Sequence, residues 1–421
     1  MARAGEVYRV TGGKRLEGRV RISGSKNGAD YAMAAALLTA GDVVLDNAPD
    51  IGDVRQMAEL IEYLGGRVER LPDGRLRINC AGVERYEAPA QISAQLRAGF
   101  LIMGSLLARL GRASSAPPGG DVIGIRPLDV HLTGFRTLGA TVERKGDKFV
   151  ATADQSLHGG RVVLDYPSVM GTLNVMLAAT LADGATTIIN AASEPEVASL
   201  AEMLNKMGAN VSGAGTHTVS IEGVRELGGT EHRIIPDRLE AGTFALAAAI
   251  TGGDIELEEA VPEHLDALIW KLQEAGADVR PTDAGLRVIG AASYRAVAAQ
   301  AVPYPGLATD LHPQLAAFLT QAKGVSVIHE RVFDNRMLYV GELRKMGADI
   351  ITAGQTAIIS GPTRLAAAPV KALDVRAGAA CILAGLVAEG TTEVSDVFHL
   401  DRAHEGLHSK LRSLGASIER V

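Results

Sequence analysis

Six cations and three carboxylates are the candidates for chemistry in this chain. They are Lys26, Arg97, Arg126, Arg336, Arg376 and Arg402, with Asp121, Asp310 and Asp374. The chain as a whole is acidic, with 42 Lys+Arg against 49 Asp+Glu and a formal charge of −7. A cation set within such a chain points to a substrate with several negative charges, phosphates or a carboxylate among them. Carboxylates placed among the cations point to proton transfer. The sequence has no GxxxxGK[ST] loop, no nucleophile elbow and no GxGxxG opening a helix. Nucleotide hydrolysis and NAD chemistry therefore lack support.

These residues must be positioned by a repeating frame. Six predicted helices end in an apolar-Gly-Ala/Gly signal at Gly65, Gly139, Gly208, Gly276, Gly347 and Gly415, spaced 68–74 residues apart. The 421 residues thus read as six units of about 70. Counting back 1, 4, 8 and 11 from each glycine gives an apolar stripe, such as Val54, Met57, Ile61 and Leu64, or Val197, Leu200, Leu204 and Met207. Such a stripe lays one helix face on a sheet, and the glycine suits a left-handed C-cap. Each unit also carries an earlier helix that is apolar all round and hence buried, ending at Gly41, Gly111, Gly184, Gly252, Gly324 and Gly390. The predicted fold class is α/β: two lobes of three units each, with buried helices wrapped by sheets and outer helices.

Function is sought where the units stop being alike. Fourteen residues before the glycine ending each buried helix lie Asn27, Arg97, Met170, Arg238, Asp310 and Arg376. Capping would account for Asn27 and Asp310. It fails for arginines, since cations are disfavoured at a helix N-terminus unless an anion sits beside them. The outer-helix stripe is broken twice, by Arg336 and His404 in place of an aliphatic, which suggests helix starts facing a polar cleft; His404 reads equally well as a buried, satisfied imidazole. The second unit is the longest, and its surplus falls near a Gly/Pro-rich loop, residues 117–127, holding Asp121 and Arg126. Such a loop suits a mobile lid, though Asp121 is equally a turn residue after Gly-Gly.

Composition narrows the class further. Aromatics are 4% of residues and no basic block occurs, which argues against nucleic acid as a partner. Cys80 and Cys381 make neither a disulfide framework nor a metal pair. With no signal peptide or membrane-length apolar run, the expectation is a cytoplasmic protein away from the membrane.

The residues and the repeat resemble the enolpyruvyl transferase family essentially end to end. The motifs that carry the resemblance are Ser25-Lys26-Asn27, Leu96-Arg97-Ala98, Gly119-Gly120-Asp121 continuing through Arg126-Pro127 to Asp129, and Tyr166-Pro167-Ser168-Val169. They continue with Pro236-Asp237-Arg238, Thr309-Asp310, Val332-Phe333-Asp334-Asn335-Arg336, Asp374-Val375-Arg376 and Leu400-Asp401-Arg402. The resemblance implies a two-lobed inside-out α/β barrel, with lobes at 26–235 and at 1–25 plus 236–421 and the active site in the cleft between them. It implies transfer of the enolpyruvyl group of phosphoenolpyruvate to the 3-hydroxyl of UDP-N-acetylglucosamine, with phosphate released, no metal or organic cofactor, and a monomer, in the service of cell-wall precursor synthesis. By the same carry-over, Lys26, Arg126 and Arg402 neutralise the phosphate, and Arg97, Arg336 and Arg376, with Asp374 beside them, hold anionic substrate. Asp310 is the base at the sugar hydroxyl and Asn27 a sugar contact. Arg126, Pro127, Leu128, Asp129, Val130, Ser168 and Val332 line the uridine diphosphate site. Asp121 stands where most members carry a cysteine that acts as general acid and is alkylated by fosfomycin; a carboxyl there implies fosfomycin resistance. Met170-Gly171, Leu307-Ala308 and Ala403-His404 depart from the usual pattern. They leave open a relative acting on another uridine nucleotide such as uridine monophosphate, and a repeat protein that binds UDP-sugars without catalysis.

Overall fold

A computed structural model describes residues 5–93, 96–119, 123–124 and 127–421. Asp121 and Arg126, and with them the centre of the 117–127 loop, lie outside the described residues. The chain divides into two compact units. The first is formed by Gly24–Gly120 and Arg126–Ile235, so far as described; the second by Pro236–Val421 with the described parts of Met1–Ser23 and Asp121–Ile125.

Each unit is built on helices with no polar face. In the first unit the helix Val169–Ala179 buries every residue from Met170 onward, and Lys26–Ala36 buries every residue after Asn27. In the second, Arg238–Ile250 buries all but its first residue, and Val375–Gly385 buries all eleven. Small residues make this possible. A Cβ on Gly104 would lie 2.4 Å from the carbonyl oxygen of Asn174, so helix Ile102–Leu110 meets Val169–Ala179 backbone to backbone.

Around these helices lie sheets, five of which combine an antiparallel set with a parallel edge strand. In the first unit Thr230–Arg233 runs parallel to Asp42–Asp46, which continues antiparallel to Leu76–Asn79 and then Arg67–Arg70. A second sheet orders Asn210–Ser212, Thr218–Glu222, Ala185–Ile189 and Arg161–Val163, and a third joins Arg112–Ser115, Lys148–Thr152 and Thr141–Lys145. In the second unit Glu17–Arg21 runs parallel to Asp254–Glu258, and the N-terminal strand Tyr8–Thr11 is inserted antiparallel between Thr391–Ser395 and Ser417–Arg420. The remaining sheet is centred on the nine-residue strand Ala322–Glu330. Among the described residues every sheet is open; the architecture is mixed α/β, and no strand barrel closes.

The outer helices carry the expected stripe: Val54, Met57, Ile61 and Leu64 are all buried, as are Leu265, Leu268, Leu272 and Ala275. All six signal glycines take left-handed backbone, with φ from 89° at Gly347 to 115° at Gly276. The two residues that break the stripe do not face outward, because Arg336 is 2% exposed and His404 4%. No described helix is long and apolar enough to cross a membrane.

Candidate active site

In the first unit Ser25 caps the helix that Lys26 opens, its Oγ accepting from the Gly28 N–H at 3.1 Å. The cap is therefore Ser25 and not Asn27, which is the second residue of the helix and makes no side-chain hydrogen bond among the described residues. Lys26 Nζ lies 2.8 Å from Asp53 Oδ2 and 3.5 Å from Asp30 Oδ2, both carboxylates being at most 1% exposed. A lysine held between two buried acids has its ammonium fixed in place. Sequence reading missed both acids. Asp30 had a signal in its i,i+4 spacing from Lys26; Asp53, from another helix, had none.

Arg97 opens the 3₁₀ turn Arg97–Leu101 at the head of helix Ile102–Leu110. It is partly buried and makes no hydrogen bond or ion pair among the described residues. Its charge is felt by Tyr31 and His131. An unmatched guanidinium at a helix start, beside groups that cannot neutralise it, suits an anion. His131 is held neutral. The two N–H groups of the Asn174 amide go to the Phe100 carbonyl at 3.0 Å and to His131 Nδ1 at 2.9 Å, so that nitrogen is an acceptor. Burial, reinforced by Arg97, pushes His131 down to about 3.

Five of the residues expected on the uridine side, Pro127, Leu128, Asp129, Val130 and Ser168, lie on or just before two helices of this unit. Pro127 and Leu128 lead into Asp129–Thr137, and Ser168 caps Val169–Ala179 by accepting from Gly171 N–H at 3.1 Å. A Cβ on Gly171 would lie 2.5 Å from Val130 Cγ1, which brings Val130 and the Ser168 cap together.

In the second unit Asp310 is clamped. Its Oδ1 accepts from Arg336 Nη2 at 2.5 Å, and its Oδ2 accepts from Arg376 Nε and Nη2, both at 3.0 Å. The side chains of Arg336 and Arg376 are 1% and 6% exposed, that of Asp310 25%. Asp310 thus pairs with arginines and does not cap a helix. Arg336 Nη1 is buried with no hydrogen-bond partner. A buried guanidinium N–H without an acceptor costs free energy unless a ligand satisfies it. Asp374 is the N-cap of helix Val375–Gly385, its Oδ1 accepting from the N–H groups of Arg376 at 2.7 Å and Ala377 at 3.0 Å. That cap offsets the cost of a cation in the first turn. Val332 and Arg402 are partly buried, Arg402 directly after the short helix Phe398–Asp401. His404 is buried, but both its ring nitrogens lack partners, so it is not a satisfied imidazole.

Burial, with Arg376 and Lys410 nearby, holds His404 at about 3, as for His131. Glu240 moves the other way, to about 7, because burial outweighs the contact with Lys410. The two histidines bind protons in the unfolded chain from pH 6.5 downward but in the folded chain only near 3, so their contribution to stability is lost as pH falls. Glu240 binds its proton more tightly when folded, so its contribution grows as pH falls from 7 to the unfolded value near 4.5. Urea midpoints are accordingly expected to fall gently between pH 6.5 and 5, where Glu240 offsets only one of the two histidines. Below about 4.5 they should drop, by up to about 1.4 kcal/mol per pH unit for each histidine. His404→Phe should flatten the drop, and an unchanged acid limb in that variant would refute the assignment.

A profile of the EPSP synthase (3-phosphoshikimate 1-carboxyvinyltransferase) family matches residues 10–411. The chain is 49% identical over 405 residues to UDP-N-acetylglucosamine 1-carboxyvinyltransferase 1 of Caldanaerobacter subterraneus, covering 96% of this chain and 97% of the relative. It is 46% identical to the protein of that name from Symbiobacterium thermophilum, covering 99% and 95%. Among solved structures, the enolpyruvyl transferase NikO from Streptomyces tendae superposes with a TM-score of 0.87 at 23% identity, over 99% of both chains. EPSP synthase from Acinetobacter baumannii gives 0.78 at 20% identity, over 99% of this chain and 100% of that one. These two likenesses speak to the fold.

Proposed function

The chain belongs to the EPSP synthase family of enolpyruvyl transferases, and from that membership we propose that it transfers the enolpyruvyl group of phosphoenolpyruvate to the 3-hydroxyl of UDP-N-acetylglucosamine, releasing phosphate. The observation that carries the reading is the Asp310 clamp, a base-competent carboxylate between two buried guanidiniums with one N–H left unsatisfied. The acceptor is taken from the names of the relatives at 45–49% identity.

In this reaction Asp310 takes the proton of the sugar hydroxyl as its oxygen bonds to the central carbon of phosphoenolpyruvate, while the methylene carbon gains a proton. The tetrahedral intermediate then loses that methyl proton and phosphate, restoring the double bond. The nearest anionic group to the attacked carbon is the carboxylate bonded to it, so the guanidiniums touching Asp310 are matched to that carboxylate. Lys26 and Arg402, with Arg126, serve the phosphate; Arg97 serves an anionic substrate; Asn27 serves the sugar. Pro127, Leu128, Asp129, Val130, Ser168 and Val332 serve the uridine diphosphate. The proton to the methylene is assigned to Asp121, which makes the enzyme refractory to fosfomycin; a stoichiometric adduct in intact-mass analysis would overturn that. The reading extends to six copies of one unit arranged as two inside-out lobes, to a monomer, and to a cytoplasmic place in peptidoglycan precursor synthesis.

The test is phosphate release from phosphoenolpyruvate with UDP-N-acetylglucosamine and, separately, with uridine monophosphate. Release with the UDP-sugar alone is the expected result. Release with the monophosphate alone would change the acceptor, and tight sugar-nucleotide binding without release would make the chain a binding protein.

A further inference from the structure

Behind the Asp310 clamp lies a line of buried polar side chains that the reaction as proposed does not use. Glu330, fully buried, ends the strand Ala322–Glu330. Its Oε2 accepts from Thr309 Oγ1 at 2.8 Å and lies 2.9 Å from His312 Nδ1. Its Oε1 accepts from the N–H groups of Val332 at 2.8 Å and Phe333 at 3.2 Å. Four donors stabilise the ionised form, and together they hold this carboxyl below its usual range despite burial.

An ionised carboxylate can only accept, and that fixes every hydrogen in the line. The Thr309 hydroxyl must donate to Glu330, and His312 must carry a proton on Nδ1. His312 is fully buried, and burial pushes it toward the neutral form, so its Nε2 accepts from the Tyr339 hydroxyl at 2.9 Å. With its hydrogen committed, Thr309 Oγ1 faces Arg336 as an acceptor and takes Nε–H at 3.1 Å. The guanidinium is planar, so bonds at Nε and Nη2 set the direction of Nη1, the buried nitrogen with no partner.

We propose that Tyr339, His312, Glu330 and Thr309 form a positioning relay that orients the Arg336 guanidinium, presenting its Nη1–H to the carboxylate of phosphoenolpyruvate while its Nη2–H holds Asp310. None of the four touches substrate; they act through Arg336. The proposal rests on the enolpyruvyl-transfer reading for the identity of the anion, whereas the relay itself is tested independently of turnover.

Steady-state kinetics of the full chain are compared for wild type, Thr309→Val and Thr309→Ser. Valine keeps the volume and removes the hydroxyl, and the KM for phosphoenolpyruvate is expected to rise about tenfold or more. The KM for the UDP-sugar should stay within about twofold, and serine, which restores the hydroxyl, should recover wild-type values within about threefold. A merely structural role would move the melting temperature and both KM values together. The second measurement follows the arginine Nε–H signals of 15N-labelled protein, with Arg336→Lys identifying the resonance. The Arg336 Nε–H should exchange slowly in wild type and Thr309→Ser and rapidly in Thr309→Val. Absence of a protected Arg336 signal in wild type, an unchanged signal in the valine variant, an equal rise of both KM values, or failure of serine to rescue would each overturn the relay. Absence of enolpyruvyl transfer by wild type would instead defeat the functional reading and leave the arginine signals to judge the relay.

Discussion

Asp310→Asn is expected to lower kcat for enolpyruvyl transfer by roughly 10²–10⁴-fold, the range that a positioned general base supplies. Asparagine keeps the shape and one acceptor oxygen but cannot take the hydroxyl proton. The KM for phosphoenolpyruvate should move in the opposite sense. Asp310 now occupies Nη2 of Arg336 and two nitrogens of Arg376. Removing its charge leaves both guanidiniums more attractive to an anionic substrate, so KM should stay level or fall. That split separates a base from a binding residue, because loss of a binding residue raises KM. The variant should also be less stable, since Arg336 and Arg376 are buried cations that lose their charged partner. The measurement is steady-state phosphate release with thermal melts on the same preparations. A folded Asp310→Asn with kcat within threefold of wild type would remove Asp310 from the base role.

The frame of this site could be read in the sequence because it rests on short-range rules. Gly65, Gly139, Gly208, Gly276, Gly347 and Gly415 announced helix ends by position, and all take the left-handed backbone that such ends require. Arg97 and Arg376 drew attention because a cation at a helix start contradicts the helix dipole, and each lies in the first turn of a helical segment. The clamp itself was not legible. Asp310 meets Arg376 across 66 residues of sequence, and nothing local shows that they touch. Glu330 and His312 gave no signal either, since a single acid ending a strand and a histidine opening a helix are both common on a solvated surface. Their meaning comes from burial, which makes every hydrogen bond obligatory. Asp374 shows the converse: the cation cluster around it drew attention, while the backbone N–H groups from which its Oδ1 accepts as the N-cap of its own helix gave no signal of their own. Tertiary pairing, more than residue type, separates the two cases.

The same distinction governs Lys26, for which Lys26→Met should destroy activity and also cost about 3–5 kcal/mol of stability. The methionine fills similar volume, so packing is largely kept. What is lost is the ammonium 2.8 Å from Asp53 and 3.5 Å from Asp30, two carboxylates buried in the first unit. Their repulsion then goes unscreened at a site with little access to water. Stability and catalysis can be separated with a second substitution. Lys26→Met combined with Asp53→Asn removes one negative charge along with the positive one, so the urea midpoint should recover most of its loss. Activity should not recover, because the charge that faces the departing phosphate is still missing. Removing such a preorganised charge costs about 3–4 kcal/mol in the barrier, by analogy with oxyanion-hole donors. The decisive comparison is between the single and double variants in one pair of assays, urea unfolding and phosphate release. If the double variant regains turnover, Lys26 is there to neutralise Asp53, and the phosphate must be held by other cations. If it stays inactive while refolding to wild-type stability, the two buried acids are the support that keeps Lys26 aimed.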